Sequence, residues 1–412
     1  MNPTVAIVGA GPAGLAAAAA LTARGVRDIA VFDRDDTVGG LPRYCGHLGF
    51  GWEYSHRLEK GSSFIRRLIG ETDLSRATLH PRTTVLEIAP GPALRVVGPE
   101  TGVRELRPQA VLVATGVRER PRAARLVPGA RPERGVLTTG ALQQMETRGI
   151  PVPGPRAVVI GSEHVAFSVL LTARHCGLKV VAMAEPGPRV LSLPIARPIA
   201  RAVFGVPMFL NAEIEEIQGR AAVEAIVLRM PEGSRRIPCD CVIFSGSFVP
   251  DAPLSEEAGL TIDPRTGGPA IDQFMRTSQP GVFAAGNLLR PVESSGVAAC
   301  EGARAGACIA AFLAGRLDGA QALPAFGLGE GVRYLVPQRW AMDAVDLRDA
   351  RPLRPSLRVS SDMEAARVAL SADGMAVWQG ARRRLLRERR IAINLDALPR
   401  GRPAALQVDL VA

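Results

Sequence analysis

Three glycines near the amino terminus stand where a phosphate could be held. The run Val5-Ala6-Ile7-Val8 leads into Gly9-Ala10-Gly11-Pro12-Ala13-Gly14 and then into an Ala/Leu-rich stretch reaching about Arg24. Gly9 permits a tight turn, Gly11 lets the main chain approach a diphosphate, and Gly14 lets a helix lie close on the preceding strand. The free amides and partial positive charge at the start of that helix would hold the anion. A second apolar run, Ile29-Ala30-Val31-Phe32, ends at Asp33, 24 residues beyond Gly9. An acid there can accept from a ribose hydroxyl. Strand, glycine turn, helix, strand and acid together specify the first half of a dinucleotide-binding unit far better than the glycines alone.

The chain then repeats this pattern. Arg156-Ala157-Val158-Val159-Ile160 leads to Gly161, an amphipathic stretch to about Cys176, the run Val180-Val181-Ala182-Met183-Ala184, and Glu185, again 24 residues after the first glycine. Two units of one spacing imply two dinucleotide-binding-like domains. The second is altered where it would touch a ligand. Gly161-Ser162-Glu163-His164-Val165-Ala166 keeps the first glycine, but Glu163 takes the place of the second and Ala166 that of the third. A carboxylate at that position would crowd and repel a pyrophosphate. Glu185 would favour NAD over NADP if a nicotinamide cofactor bound. The expectation is that tight NAD(P) binding is lost or altered here, leaving the domain as a structural partner or as a wall of a substrate or subunit interface.

The rest of the chain supplies the elements that position these motifs. Apolar runs near Val85–Ile88 and Ala93–Val97 read as a small antiparallel meander, and Val111–Ala114 as a strand ending at Ala114-Thr115-Gly116. Cys241–Phe244 reads as another buried strand. Gln279-Pro280-Gly281-Val282-Phe283-Ala284-Ala285-Gly286-Asn287 precedes a helix from about Ser295 to Leu313. Ser294 or Ser295 opens that helix, either as a plain N-cap or at a terminus aimed at a bound group. In the last ~90 residues, short strands are expected at Leu357–Val359, Val368–Leu370, Met375–Trp378, Ile391–Ile393 and Leu406–Val408. The expected fold class is α/β: two Rossmann-like domains plus a small C-terminal β-sandwich-like domain. The expected boundaries are 1–118 with 270–322 for the first domain, 119–269 for the second and 323–412 for the third.

Three further stretches carry a family resemblance. Asp33-Arg34-Asp35-Asp36-Thr37-Val38-Gly39-Gly40 resembles the acid-then-Gly-Gly signature of two-domain flavoproteins, Ala114-Thr115-Gly116 their second signature, and Thr277–Gly286 their third. Together they span residues 1 to about 320, and the chain resembles the pyridine nucleotide–disulfide oxidoreductase superfamily. The resemblance implies FAD in the first domain, held by Gly9, Gly11, Pro12, Ala13, Gly14, Asp33, Arg34, Gly40, Leu41, Val85, Ala114, Thr115, Gly116, Gly286, Asn287, Ser295 and Gly296. It also implies NAD(P)H in the second domain, which Glu163 opposes. Asn287 departs from the usual Asp, keeping hydrogen bonding but losing the charge.

Gly40-Leu41-Pro42-Arg43-Tyr44-Cys45-Gly46-His47, Ala114–Arg122 and Gly135–Gln143 narrow the likeness to the FAD subunits of opine oxidases, hydrogen cyanide synthase and D-hydroxyproline-type dehydrogenases. The implied partner is an amine-oxidising flavoprotein in a hetero-oligomer. Many such subunits carry a four-cysteine iron–sulfur module at the C-terminus; here the last cysteine is Cys308. Disulfide reductases place redox cysteines two and seven residues after the second Gly of the pair, and those positions hold Pro42 and His47. No Cys-x-x-Cys occurs either. Cys45 and His47 are therefore the remaining catalytic candidates. They are either a flavin-contacting thiol with an acid–base or orienting imidazole, or an inert thiol and a hydrogen-bonded ring in a packed loop.

Composition excludes other classes. The 412 residues carry 50 Lys+Arg against 40 Asp+Glu, a formal charge of +10, with Lys60 and Lys179 the only lysines. The arginines are scattered, so no nucleic-acid partner is implied. The dense run Arg382–Arg390 reads as a solvated face or a dock for an acidic protein. Val5–Ala23 lacks charge, but Gly9, Gly11, Pro12 and Gly14 interrupt it, which fits a strand and helix better than an anchor or signal peptide. No membrane association is expected. Six cysteines with no Cys-x-x-Cys pair among them read as reduced thiols, and a cytoplasmic location is expected. Cys239-Asp240-Cys241 reads as packing rather than a metal site, and no metal is expected. The expected activity is an FAD-dependent oxidoreductase, acting without a redox-active disulfide. It would move a hydride or electrons from a small reduced donor, an amine or amino-acid derivative or NAD(P)H, to another acceptor, in an oligomer. The alternative is a non-catalytic FAD-holding subunit serving electron transfer or assembly.

Overall fold

Short apolar runs, most of them buried, build the two parallel sheets. A computed structural model describes residues 2–318, 325–341, 347, 349–398 and 403–411. In chain order the elements that matter are β1 (Val5–Val8), α1 (Pro12–Ala23), β2 (Ile29–Phe32), β3 (Ala77–His80) and β4 (Ala110–Val113). Next come β5 (Arg156–Ile160), α2 (His164–His175), β6 (Lys179–Glu185) and β7 (Cys241–Phe244). The chain then runs through β8 (Val282–Ala284) to α3 (Ser295–Leu313). Side chains at β1, β2, β4 and β7 are buried on both faces, as parallel strands covered by helices must be.

By compactness the chain divides into two units, 1–43 with 49–117 and 250–412, and 44–48 with 118–249. In the first unit the parallel sheet runs β8-β4-β1-β2-β3. β2 lies on one side of β1 and β4 on the other, so the strand order reverses at β1. Ligands of such sheets bind in the crevice beyond the carboxyl ends at that switch. The meander of residues 84–89, 93–98 and 102–106 forms a separate antiparallel sheet. α1 is apolar all round and buried, and α3 lies directly on it. A Cβ on Gly302 would collide with the main chain of Ala13, and one on Gly306 would stand 2.7 Å from the Ala17 carbonyl oxygen. α3 is long and apolar enough to cross a membrane by composition, yet most of it is buried in this core.

The second unit repeats the architecture, with a parallel sheet in the order 136–138, β7, β5, β6, 208–210. It ends at Val249, earlier than the expected 269. The helix Pro253–Glu257 is flanked by Ala252, Ala258 and Leu260, which are buried in the core of the first unit. Residues 44–48 group instead with the second unit.

The C-terminal strands 326–328, 363–372, 375–379, 383–385 and 406–411 make a mixed sheet, in which 326–328 and 406–411 run parallel. A ribbon of 332–336 and 356–359 shares one core with that sheet through Leu335, Leu357, Val368 and Leu406. This segment belongs to the first compact unit, although its core is its own. The stretch Ile391–Ile393, expected as a strand, makes a single bridge from Ile391 to Leu357. Ile391 and Ile393 are nonetheless buried in that core.

Candidate functional site

The first unit gathers its motifs at the carboxyl edge of one sheet. Gly9 follows β1 with a φ of +103°, and a Cβ there would collide with the Ala114 carbonyl at the end of β4. A Cβ on Gly14 would run into the Gly9 carbonyl. Both glycines are therefore required by packing. Gly11 is different. Its φ of −78° suits any residue, and no atom lies within 4 Å of where its Cβ would stand. α1 begins at Pro12 with no side chain capping it. Helix amides left uncapped, beside a glycine facing open space, fit a diphosphate. Gly39 donates its N–H to the Ala10 carbonyl at 2.9 Å, and a Cβ on Gly40 would lie 3.1 Å from the Gly11 Cα. The two glycine signatures thus form one wall.

Asp33 follows β2 beside the glycine turn. Its Oδ2 accepts from the Ala10 N–H at 2.8 Å and its Oδ1 from the Asp35 N–H at 2.9 Å. Burial pushes its carboxyl above the usual range, while these two amides pull it down. Each oxygen retains a lone pair for a hydroxyl. Arg34 is exposed and pairs with Asp251 at 3.2 Å. The main chain of Asp251 accepts from the Thr115 hydroxyl at 2.7 Å and donates to the Gly116 carbonyl at 2.9 Å, which holds the end of the second signature. Leu41 is exposed, and the Val85 side chain lies in the core, away from open space.

The third signature arrives through β8, whose neighbour is β4. Gly286, at φ +80°, packs on α1, where a Cβ would stand 2.8 Å from the Ala13 Cβ. Asn287 turns its amide to its own loop, donating to the Glu293 carbonyl at 3.1 Å and accepting from the Glu293 N–H at 2.9 Å. An aspartate could not make the first of these bonds. Ser294, not Ser295, caps α3, accepting from the Val297 N–H at 3.2 Å. Next to that helix start, the carboxylate of Glu53 stands where a Cβ on Gly296 would be. Sequence reasoning missed Glu53, Asp251 and Glu293. Glu53 and Asp251 meet their partners through the tertiary fold, whereas Glu293 meets Asn287 within one loop.

The second unit holds a different picture. Glu163, the N-terminal boundary residue of α2, folds its carboxylate back over its own turn. Its Oε2 accepts from the Ser162 N–H at 3.1 Å and lies 2.9 Å from a Cβ placed on Gly161. Its Cδ lies 2.9 Å from one placed on Gly246. Glu185 is buried, accepting the Ser162 hydroxyl at 2.5 Å and the Gly187 N–H at 2.9 Å. Burial raises the Glu163 carboxyl above its ordinary range. These residues do not fit a dinucleotide.

Cys45 and His47 belong to the compact second unit. Cys45 is buried, donates to Gln143 Oε1 at 3.6 Å, and is pushed up to about 12 by burial. Burial of this kind favours the protonated thiol over the thiolate. His47 is half-buried, with Nδ1 2.9 Å from the Leu48 carbonyl. Burial also pushes Cys239, Cys241 and Cys308 to about 12, and Cys176 alone is part-exposed. The folded chain should therefore show at most one fast thiol toward an aromatic disulfide reagent near pH 8, and all six of its cysteines should react after denaturation. Cys45→Ser should leave the flavin spectrum unchanged. Among the described residues no His/Cys/Asp/Glu cluster could hold a metal ion.

The model of the pyridine nucleotide-disulphide oxidoreductase family matches residues 3–304. The chain belongs to this family. Relatives include one of the opine oxidase subunits of Agrobacterium tumefaciens (strain Ach5), 29% identical over 75% of this chain and 64% of that protein. The glutamate synthase [NADPH] small chain of Mycobacterium tuberculosis (strain CDC 1551 / Oshkosh) is 29% identical over 78% of this chain and 68% of the relative. The chain spans 62–64% of the length of the two opine oxidase subunits it matches. The T. acidophilum thioredoxin reductase structure aligns with a TM-score of 0.63 and 20% identity over 76% of this chain and 98% of that one, sharing the fold. The first-unit cradle is where the residues of this family member fit FAD.

Proposed function

We propose that this chain is an FAD-dependent oxidoreductase that takes electrons from a small reduced donor, an amine or amino-acid derivative, and passes them to another acceptor without a redox-active disulfide. The observation that carries this reading is the pairing of an open Gly11 cradle with Pro42 and His47 at the positions where disulfide reductases keep their cysteines. Bound FAD would supply a two-electron acceptor at its N5. The chain's own residues then bind and orient. The α1 amides would hold the diphosphate, and Asp33 would take a ribose hydroxyl. An amine or opine-type donor is supported by the likeness to opine oxidase.

An assembly with a partner is supported by that relative's being one subunit of its enzyme, and by an exposed apolar stripe. Ile195, Ile199 and Val203 recur every fourth residue at and along the helix Ala196–Phe204, and all three face solvent. Such a stripe suits a contact between subunits. A second reading, a non-catalytic FAD-holding subunit, makes the same assembly but needs the partner for any turnover.

An anaerobic screen of the reconstituted yellow protein separates these readings, with flavin absorbance followed after adding amines, opines, NADH or NADPH. Bleaching by an amine-type donor is the expected result. A chain inert to every donor until an amine-oxidising partner is added supports the second reading. Turnover of a disulfide substrate with NAD(P)H would sink both.

A further inference from the structure

We infer that Glu163 is a built-in substitute for the diphosphate of a nicotinamide dinucleotide, so that the second unit's cradle is filled by the chain itself. On the reading of the chain as a flavoprotein, its reducing equivalents then come from a donor other than NAD(P)H. A dinucleotide needs two things from this architecture: main-chain room and free amides at the start of α2 for the diphosphate, and an acid at the end of β6 for the ribose. The room before α2 and the acid are already taken, although no side chain caps the α2 amides themselves.

The first is taken by the Glu163 carboxylate, which lies between Gly161 and Gly246 and accepts the Ser162 N–H. A diphosphate entering there meets both its volume and its charge. The second is taken because Glu185 is buried under its own loop. The Ser162 hydroxyl donates to Glu185, the Leu191 N–H donates to that same hydroxyl at 3.0 Å, and the Ser192 hydroxyl pairs with His164 Nδ1 at 2.9 Å. Residues 187–192 are thus stitched across the acid a ribose would use.

The surroundings keep this closed form in place. Arg125 donates to the carbonyls of Ser245 and Gly246 at 3.0 and 2.7 Å and stacks on the Phe244 ring at 5.2 Å, fixing the turn after β7. Its charge also offsets those of Glu163 and Glu119. Glu119 in turn occupies a second helix start in this unit, accepting from the Gly140 N–H at 2.7 Å. The first unit is the internal control: at the position equivalent to Glu163 it has Gly11, with open space before it.

The test is equilibrium dialysis of labelled ADP-ribose, which carries the diphosphate without a hydride, and of NADH under anaerobic conditions. Flavin-loaded wild type, Glu163→Gly and Glu163→Ala are compared. Wild type should show no saturable binding into the millimolar range. The two variants should gain at least about tenfold, the order expected when a carboxylate is removed from beside a diphosphate. Saturable micromolar binding to wild type would overturn the inference. So would variants with wild-type circular dichroism and flavin content that bind no better. Flavin content is read separately by visible absorbance, so a chain that fails to take up FAD refutes the flavoprotein reading without touching this result.

Discussion

Gly11→Val should yield a protein that folds normally and stays colourless. The substitution costs the apoprotein nothing sterically, because the backbone at φ −78° and ψ −172° is ordinary extended chain and no atom lies within 4 Å of the new Cβ. Restricting the unfolded chain should even favour folding by a few tenths of a kcal/mol up to about 1. The added methyl groups do, however, fill the space before the uncapped α1 amides. A diphosphate pushed off those amides loses both contact and charge–dipole stabilisation, and a fall in FAD affinity of at least about 100-fold, roughly 2.7 kcal/mol, is expected. The measurements are flavin absorbance per chain after reconstitution and the thermal midpoint of the apoprotein. Gly14→Val is the contrasting variant. There the Cβ strikes the Gly9 carbonyl, so stability and flavin should be lost together. A Gly11→Val protein as yellow as wild type would mean that the diphosphate lies elsewhere.

Glu301→Gln should be the most destabilising conservative change in the first unit. Arg290 is 0% exposed, and Glu301 grips it with two bonds of 3.1 and 2.5 Å. Glu293 stands 4.0 Å from the same guanidinium, but it already accepts from Ser356 at 2.7 Å and Arg358 at 2.8 Å. Removing one charge of a buried pair leaves the other uncompensated, which costs about 3–5 kcal/mol. Urea unfolding should show this as a lower midpoint at unchanged slope. The double variant Arg290→Met/Glu301→Leu should recover more than half of the loss, because replacing the whole pair with apolar groups restores balance. A single-variant loss under about 1 kcal/mol would show the cluster to be better hydrated than its burial implies. The cluster sits in the loop that follows Gly286 and joins α3 to the C-terminal ribbon, so the same variant also tests how that ribbon supports the third signature.

Much of the site can be read from local pattern. β1, the glycine turn, α1, β2 and Asp33 follow from strand periodicity and glycine placement within a short stretch of chain, and α3 starts at Ser295 and ends at Leu313 as its composition implies. These features are local, so nearest neighbours in the sequence carry the information. Glu163 also shows in the sequence as an intruder in a glycine pattern. Its direction does not. A carboxylate at that position could have pointed to solvent, and only the fold turns it between Gly161 and Gly246. Cys45 is the opposite case. Its neighbours in sequence resemble a flavin-lining loop, but Gln143, far along the chain, takes its hydrogen bond and burial holds its proton.

By itself, then, the order of residues determined two nucleotide-binding frameworks, the position of each diphosphate turn, and the lack of a dithiol at the usual place. Those depend on backbone freedom and residue identity, which are properties of single positions. Only the folded chain decided that Gly11 faces open space while Glu163 fills its own turn, that Asn287 serves its loop, and that Arg290 is neutralised in the core. Those outcomes depend on which distant groups arrive within a few ångströms, and packing sets that distance where sequence spacing does not.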